Sequence, residues 1–508
     1  MKESGSYTVR DLIDNCNQDP DHNAIECPGH RPLTYRGFRS QIMYVVKTLN
    51  SLGFHRNDRI AVITPAGPDT AVIIISVMAG FTVVPLNPQY REQEFNNYFS
   101  QIGIKAIIVQ KGHDTAATGV AKARVIPIIE LIPHSGFAGK FALTPEVLPD
   151  TKEAEFAAPS DIAVLLLTSG TTGAQKVVPL TQKQFLLAIQ RNKDASEITN
   201  TDRTLHILPY YHAMGLSTLL VILLAGGTVI CTKDFISSDF LPLLKTFRPT
   251  QYSAGPALHQ AILREIKKIP PDELKSTSLR AIRTGSAARS ETTQRELGEV
   301  LGAPVIEKYA SSEAGMIAVN NPPREGSVGI PIIESLTIRD ENGNILNSGE
   351  IGEIVVKGET VFNGYENAPD DNKAAFIDGW FRTGDIGYLD DDGYLFLTGR
   401  KKELINKGGE KISPVEIDMV LMSHPLVREA MVFPVQDPVL GEDIAAMIVR
   451  EQENLTANDL RIYLLDRLTP SKIPRRIYFV DAIPKNATGK PLRYVGTDRY
   501  GGSGFQGY

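Results

Sequence analysis

The sequence predicts an α/β protein with a large N-terminal region built on a mostly parallel sheet, a small antiparallel region, and a compact α+β C-terminal unit. Three observations carry this. Apolar strand-like runs alternate with helical stretches through most of the chain. From about residue 327 the texture changes to short strands joined by turn residues. After residues 399–402 a stretch of about a hundred residues has a strand–helix rhythm of its own. At 508 residues the chain is also too long for a single core.

The elements follow in order. RIAVIT (59–64) reads as a strand before the helical DTAVIIISVMAGF. TVVPLN (82–87) precedes the helical REQEFNNYFSQIG, and KAIIVQ (105–110) follows as the next strand. A second series contains the strands TLHILP (204–209), GTVICT (227–232) and QYSAG (251–255), with the helical DFLPLLKTF (239–247) between them. SLTIRDENGNIL, GEIVVKG and GYLDDDGYLFLTG then supply short strands, with DENGN and DDDG as hairpin turns. In the C-terminal part, ISPVEIDMVLMSHPLV and NDLRIYLLDRL read as helices among the strands EAMVFPVQD, EDIAAMIVR and RRIYFVD.

Composition narrows the function classes. Hydrophobic residues make up 42% and charged residues 22%, ordinary values for a soluble protein. With 53 Lys+Arg against 59 Asp+Glu, the net charge of −6 argues against nucleic acid as the main partner. Cys16, Cys27 and Cys231 have neither metal nor CxxC spacing, which fits a reducing, cytoplasmic setting. The N-terminal MKESGSYTVRDLIDNC has no apolar signal region. The most apolar stretch, LSTLLVILLAGGTVIC (216–231), is broken at Gly226-Gly227 and reads as a buried helix running into a strand, so membrane insertion is not expected. The tail GGSGFQGY (501–508) is expected to be flexible.

The chemistry starts from LLLTSGTTGAQKVVPLT (165–181). Thr168, Ser169, Thr171 and Thr172 offer hydroxyls, and Gly170 and Gly173 let backbone N–H groups turn inward. Lys176 can set a positive charge on a phosphate. The glycine spacing is not that of a Walker A loop. Taken alone, the stretch reads either as an anion-binding loop or as a Ser/Gly/Thr turn between a strand and a helix.

Its company decides. TGSAA (284–288), EKYASSEAG (307–315), residues 379–418 with RTGD and GRKKELINKGGEKISP, and PKNATGKPLR (484–493) follow in order. With these motifs the chain resembles the adenylate-forming superfamily of acyl-CoA synthetases, peptide-synthetase adenylation domains and luciferases. The resemblance covers nearly the whole chain. It implies stacked sheets and a small β-barrel-like subdomain within a core of residues 1–399. It also implies a hinge at 400–402 and a mobile C-terminal domain over 403–500.

The resemblance implies roles residue by residue. Thr168–Lys176 would close over the ATP β- and γ-phosphates. Ser312 would place its hydroxyl on the α-phosphate and Glu313 its carboxylate on Mg²⁺, an oxygen-ligated ion. Tyr309 would stack on adenine, with Gly285, Ser286 and Ala287 packing against base and acyl group. Asp385 would hold the ribose hydroxyls beside Arg400, and Lys402 would be the hinge. Gly408 and Gly409 match the pantetheine tunnel of CoA-using members, although they equally suit an ordinary tight turn. Lys490 would stabilise charge at the α-phosphate, where the transition state concentrates it; alone it would read as a surface lysine. His212 matches a position near the substrate carboxylate and is read either as functional or as structural, with Met214 and Thr218 further along its helix.

Three departures stand out. Gln175 and Val177 flank Lys176 where the family has Pro and Gly. Ala310 and Ser312 replace the glycine and threonine of the family motif, and Pro491 follows the catalytic lysine. The resemblance implies activation of a small carboxylic acid with ATP and Mg²⁺ to acyl-AMP, then transfer to CoA. A carrier-protein thiol and an amine are alternative acceptors, and a non-catalytic nucleotide sensor or an NTP hydrolase the readings from other classes. The wording of 399–418 is closest to acyl-CoA synthetases, oxalyl-CoA synthetase-like members among them. A small dianionic acid would want a second cation in its pocket, and the sequence does not point to one.

Overall fold

The computed structural model describes residues 8–15, 19–145, 153–168, 176–274, 277–285, 291–485 and 490–501. Ser169, Gly170, Thr171, Thr172, Gly173, Ser286 and Ala287 therefore lie outside the described residues, as does the tail beyond 501.

Four sheets organise the chain. In the first, of seven strands, Ile128–Pro133, Ala106–Gln110, Arg59–Ile63, Thr82–Pro85 and Ile162–Thr168 run parallel, with Phe141–Thr144 and Lys176–Thr181 antiparallel at the edges. In the second, of nine strands, Val305–Ser311, Ala281–Gly285, Gln251–Ala254, Arg203–His206, Thr228–Cys231 and Asn23–Glu26 run parallel. The repeated strand–helix–strand order noted in the sequence produces this arrangement, because parallel neighbours need a crossover to return the chain.

One apolar core spans both sheets. Helix Pro68–Gly80 has every residue buried, which accounts for its nearly all-apolar sequence. Its residues share one apolar cluster with Val62 and Val83 of the first sheet, Val229 and Cys231 of the second, and Ile354 and Val356 of the antiparallel region. This cluster draws its members from Val9 to Leu395. The helix Ala213–Leu224 and strand Thr228–Cys231 replace the apolar run as expected, and no described helix is long and apolar enough to cross a membrane.

The antiparallel region is a five-stranded sheet in which Trp380–Leu389 pairs with three neighbours: Gly352–Lys357, Phe376–Ile377 and Leu395–Arg400. The turns fall where Asp and Gly cluster: Asp340 N–H bonds Asn344 O, and Asp390 N–H bonds Tyr394 O, each at 3.0 Å. The C-terminal sheet, centred on Val427–Asp437 and Gly441–Arg450, has its own apolar clusters around Val432, Ile448 and Phe433.

One expectation changes. Of the two readings of residues 165–181, the turn between a strand and a helix does not hold, because the strands on either side pair antiparallel, Thr168 with Lys176. The KVVPLT run buries Val177, Val178 and Leu180, and a β-branched edge strand is the conformation that suits it. The helix begins only at Gln182, where Thr181 and Gln184 form a reciprocal cap.

Candidate active site

Strand Val305–Ser311 carries Tyr309, which is buried at 7% exposure. Its hydroxyl donates to Asp385 Oδ2 at 2.6 Å, and Arg400 Nε donates to Asp385 Oδ1 at 2.8 Å. Asp385 and Arg400 face each other because their strands pair in that register. Both carboxylate oxygens are thus held by charge-assisted or phenolic donors while each keeps a lone pair. Asp385 raises the Arg400 pKa, and burial pushes the Tyr309 phenol up.

Lys490 reaches this cluster from the C-terminal unit. Its ammonium lies 3.7 Å from Glu403 Oε1, and Glu403 also accepts from Arg493 Nε at 2.9 Å. Arg493 in turn bonds Asp418 Oδ2 and Val432 O, tying the segment to the C-terminal core. Burial lowers the Lys490 pKa, and the positive Arg400 nearby adds to this. Pro491, next to Lys490, sits opposite Lys485 in an isolated antiparallel bridge.

On the phosphate side, Glu313 Oε1 accepts from the Tyr365 hydroxyl at 2.9 Å. Lys176 Nζ lies 4.6 Å from the centre of the Tyr365 ring and 2.5 Å from Asp371 Oδ1. Thr168 Oγ1 reaches only the Lys176 carbonyl, at 3.4 Å. Tyr365 therefore stands between Lys176, which the resemblance assigns to the phosphates, and Glu313, which it assigns to Mg²⁺. Sequence reasoning missed Tyr365 and Asp371, together with Glu403 and Arg493; their spacing from the motifs carries no local signal.

His212 precedes helix Ala213–Leu224 without capping it through its side chain. Burial lowers its pKa to about 4, and its Nε2 atom is buried without a hydrogen-bond partner. An orphaned donor of this kind in a neutral imidazole is a place for a ligand oxygen. His212, Met214 and Thr218 are all half-buried, while Gly215, Leu216, Leu219 and Leu220 turn to the core. Gly285 has no room for a side chain, since an added Cβ would stand 2.8 Å from the Lys308 carbonyl. Ser312 is half-buried beside Glu313.

The remaining sequence candidates are Lys402, Gly408 and Gly409. Lys402 is exposed in the short turn Lys401–Glu403 between the antiparallel and C-terminal sheets. Gly408 and Gly409, with φ of +60° and +94°, form the turn between Ile405–Lys407 and Glu410–Ile412, a backbone that suits glycine at both places. Among the described residues no cluster of three or more His, Cys, Asp or Glu side chains could enclose a metal.

Comparison with known proteins gives the family and the fold. The family model described as AMP-binding enzyme matches residues 12–366, and the AMP-binding enzyme C-terminal domain matches 416–490. The chain is 36% identical to a probable CoA ligase of Humulus lupulus, with 94% of each chain covered. It is 35% identical to the oxalate–CoA ligase of Arabidopsis thaliana, covering 96% of this chain and 98% of that one. The crystal structure of ATP-bound MatB from Rhodopseudomonas palustris superposes with a TM-score of 0.88 at 28% identity, over 97% of this chain and 99% of the other. The two sheets bound by one core, the small C-terminal unit and the matched models agree: the chain belongs to the AMP-binding, adenylate-forming enzyme family.

Proposed function

We propose that the chain is an AMP-forming acid–thiol ligase. It activates a small carboxylic acid with ATP to an acyl-adenylate and pyrophosphate, then transfers the acyl group to CoA. The observation that carries this is that Lys490 of the C-terminal unit lies 3.7 Å from Glu403 with Arg400 and Asp385 acting on it, while Tyr309 and Arg400 hold that same Asp385. A buried cation beside a carboxylate fixed from two sides matches what a ribose and an α-phosphate require.

In the adenylation step the substrate carboxylate attacks the α-phosphorus and pyrophosphate leaves. Asp385 accepts hydrogen bonds from the ribose hydroxyls, Tyr309 and the Gly285–Ala287 turn border adenine, and Ser312 bonds the α-phosphate. Lys490 offsets the charge that accumulates there, and Lys176, with the Thr168–Gly173 loop, attracts the departing pyrophosphate. His212 donates to the acid. Glu313 fits Mg²⁺: the ion accepts one carboxylate when phosphates and water supply its other oxygens. When bound, Mg²⁺ neutralises phosphate charge.

In the second step the C-terminal unit turns about Lys402, removing Lys490 and bringing Gly408 and Gly409 to the pantetheine arm. The thiolate attacks the acyl carbon and AMP leaves. The mixed anhydride divides one difficult displacement into two easier ones. A carrier-protein thiol or an amine is the alternative acceptor. Pyrophosphate release over a carboxylic-acid panel tests the first step; acid-dependent AMP release with CoA, carrier protein or amine tests the second. Release of ADP, or no CoA stimulation, would sink the assignment.

A further inference from the structure

The interior next to Tyr309 holds a cation that the adenylation chemistry does not use. Lys308 Nζ donates to Asn192 Oδ1 at 2.8 Å, Asn192 Nδ2 donates to Ser217 Oγ at 3.0 Å, and Ser196 Oγ donates to Asn192 Oδ1 at 3.0 Å. Because Ser217 accepts from Asn192, its own proton is left to donate elsewhere. Among the described residues Lys308 forms no ion pair with a carboxylate, and its hydrogen-bond partner is a neutral amide.

A second cation lies behind it. Arg283 is 2% exposed, bonds Gln251 Oε1 and Ser196 O, and leaves Nη1 without a partner. Asp202, which acts on Arg283 through space, is itself gripped by Arg280 at 2.7 and 2.6 Å. Burial and the positive Arg283 lower the Lys308 pKa. A methionine or leucine would fill the same space at less cost than a desolvated cation with no counterion.

The location gives this cation a use. Lys308 precedes the Tyr309 that holds Asp385, and it pairs in register with Gly285. Ser217 lies on the helix that begins after His212, next to Thr218 and on the half-buried side with Met214. Lys308 and Ser217 also retain partial exposure. We propose that Lys308 and Ser217, braced by Asn192, receive a second anionic group of the acid being activated, so that the substrate class is a dicarboxylate. The inference rests on the ligase reading and names the substrate of that same site. The reacting carboxylate lies towards His212 and the α-phosphate, and the distal one supplies Lys308 with the ion pair that the described residues do not give it.

Pyrophosphate release is measured with a series of dicarboxylates of increasing length, each matched to the monocarboxylate of the same length, for wild type, Lys308→Met, Lys308→Arg and Ser217→Ala. Wild type should prefer one dicarboxylate over its matched monocarboxylate by on the order of a hundredfold in kcat/KM, the effect of a paired buried charge. Lys308→Met should collapse that ratio while leaving monocarboxylate turnover in place, with Lys308→Arg retaining part of it. Monocarboxylates used as well as dicarboxylates by wild type would overturn the inference and leave the ligase reading standing, as would a ratio unchanged in Lys308→Met. Pyrophosphate from no acid would overturn the ligase reading and the inference with it. If Lys308→Met fails to fold, the wild-type ratio and the Ser217→Ala ratio decide.

Discussion

The Tyr309 hydroxyl donates a 2.6 Å hydrogen bond to Asp385, a carboxylate that Arg400 holds from its other side. Tyr309 lies in the nine-stranded sheet and Asp385 in the antiparallel sheet, so one bond locks two layers at the proposed nucleotide site. A hydrogen bond to a buried charge contributes about 1.5–3 kcal/mol. Tyr309→Phe keeps the ring but frees the carboxylate to rotate. The expected result is a KM for ATP raised by about tenfold or more, read by pyrophosphate exchange. An unchanged KM would mean that the bond serves packing alone.

Lys176 is expected to be easier to recruit once Asp371 is neutral. The pair is half in water, with side-chain exposures of 22% and 47%, so its worth is at most about 1 kcal/mol. A γ-phosphate must displace Asp371 to reach the ammonium. Asp371→Asn should therefore lower the KM for ATP, or that for pyrophosphate in the reverse reaction, by a few-fold. Lys176→Ala should raise it. A higher KM in Asp371→Asn would show that the carboxylate positions the lysine instead of competing for it.

Lys490 should divide the two half-reactions. Lys490→Ala should cripple acid-dependent pyrophosphate exchange and largely spare thioester formation from supplied acyl-adenylate. Burial lowers the Lys490 pKa below the ordinary 10.5, so its charged form is lost at lower pH than for an exposed lysine. Adenylation should decline on the alkaline side accordingly, and Lys490→Arg, always charged, should remove that decline. Equal loss of both half-reactions in Lys490→Ala would refute the role.

How much of this was legible in the sequence depends on the range of each interaction. The βαβ rhythm and the turns at DENGN and DDDG are local, and each lies in the structure where the sequence places it. Asp385 and Arg400 pair across one hairpin, close enough for a motif to hold both. Tyr365, Asp371, Glu403 and Arg493 act only through partners brought to them by folding. Lys308 was hidden differently. Next to Tyr309 inside a recognised motif, it reads as one more charge until burial and the absence of a facing carboxylate become visible. The strand after the anion loop was missed because a short apolar run does not declare whether it extends or coils.

Acid should destabilise the fold through three histidines. Burial holds His206, His212 and His259 at about 4, against 6.5 when unfolded. Near pH 5 they are neutral in the folded chain and bind three protons on unfolding. Asp69 and Asp418 oppose them: burial raises each from 3.8 to about 6, so unfolding releases two. Three bound minus two released leaves a net uptake of one, and stability should fall as pH falls, by about 1.4 kcal/mol per unit around pH 5. Guanidinium midpoints at pH 5 and 6 measure this, and a midpoint that rises towards pH 5 would contradict it. His259→Asn removes one of the three groups. The uptake then falls by one group, and the dependence between pH 5 and 6 should weaken even if the variant is less stable throughout.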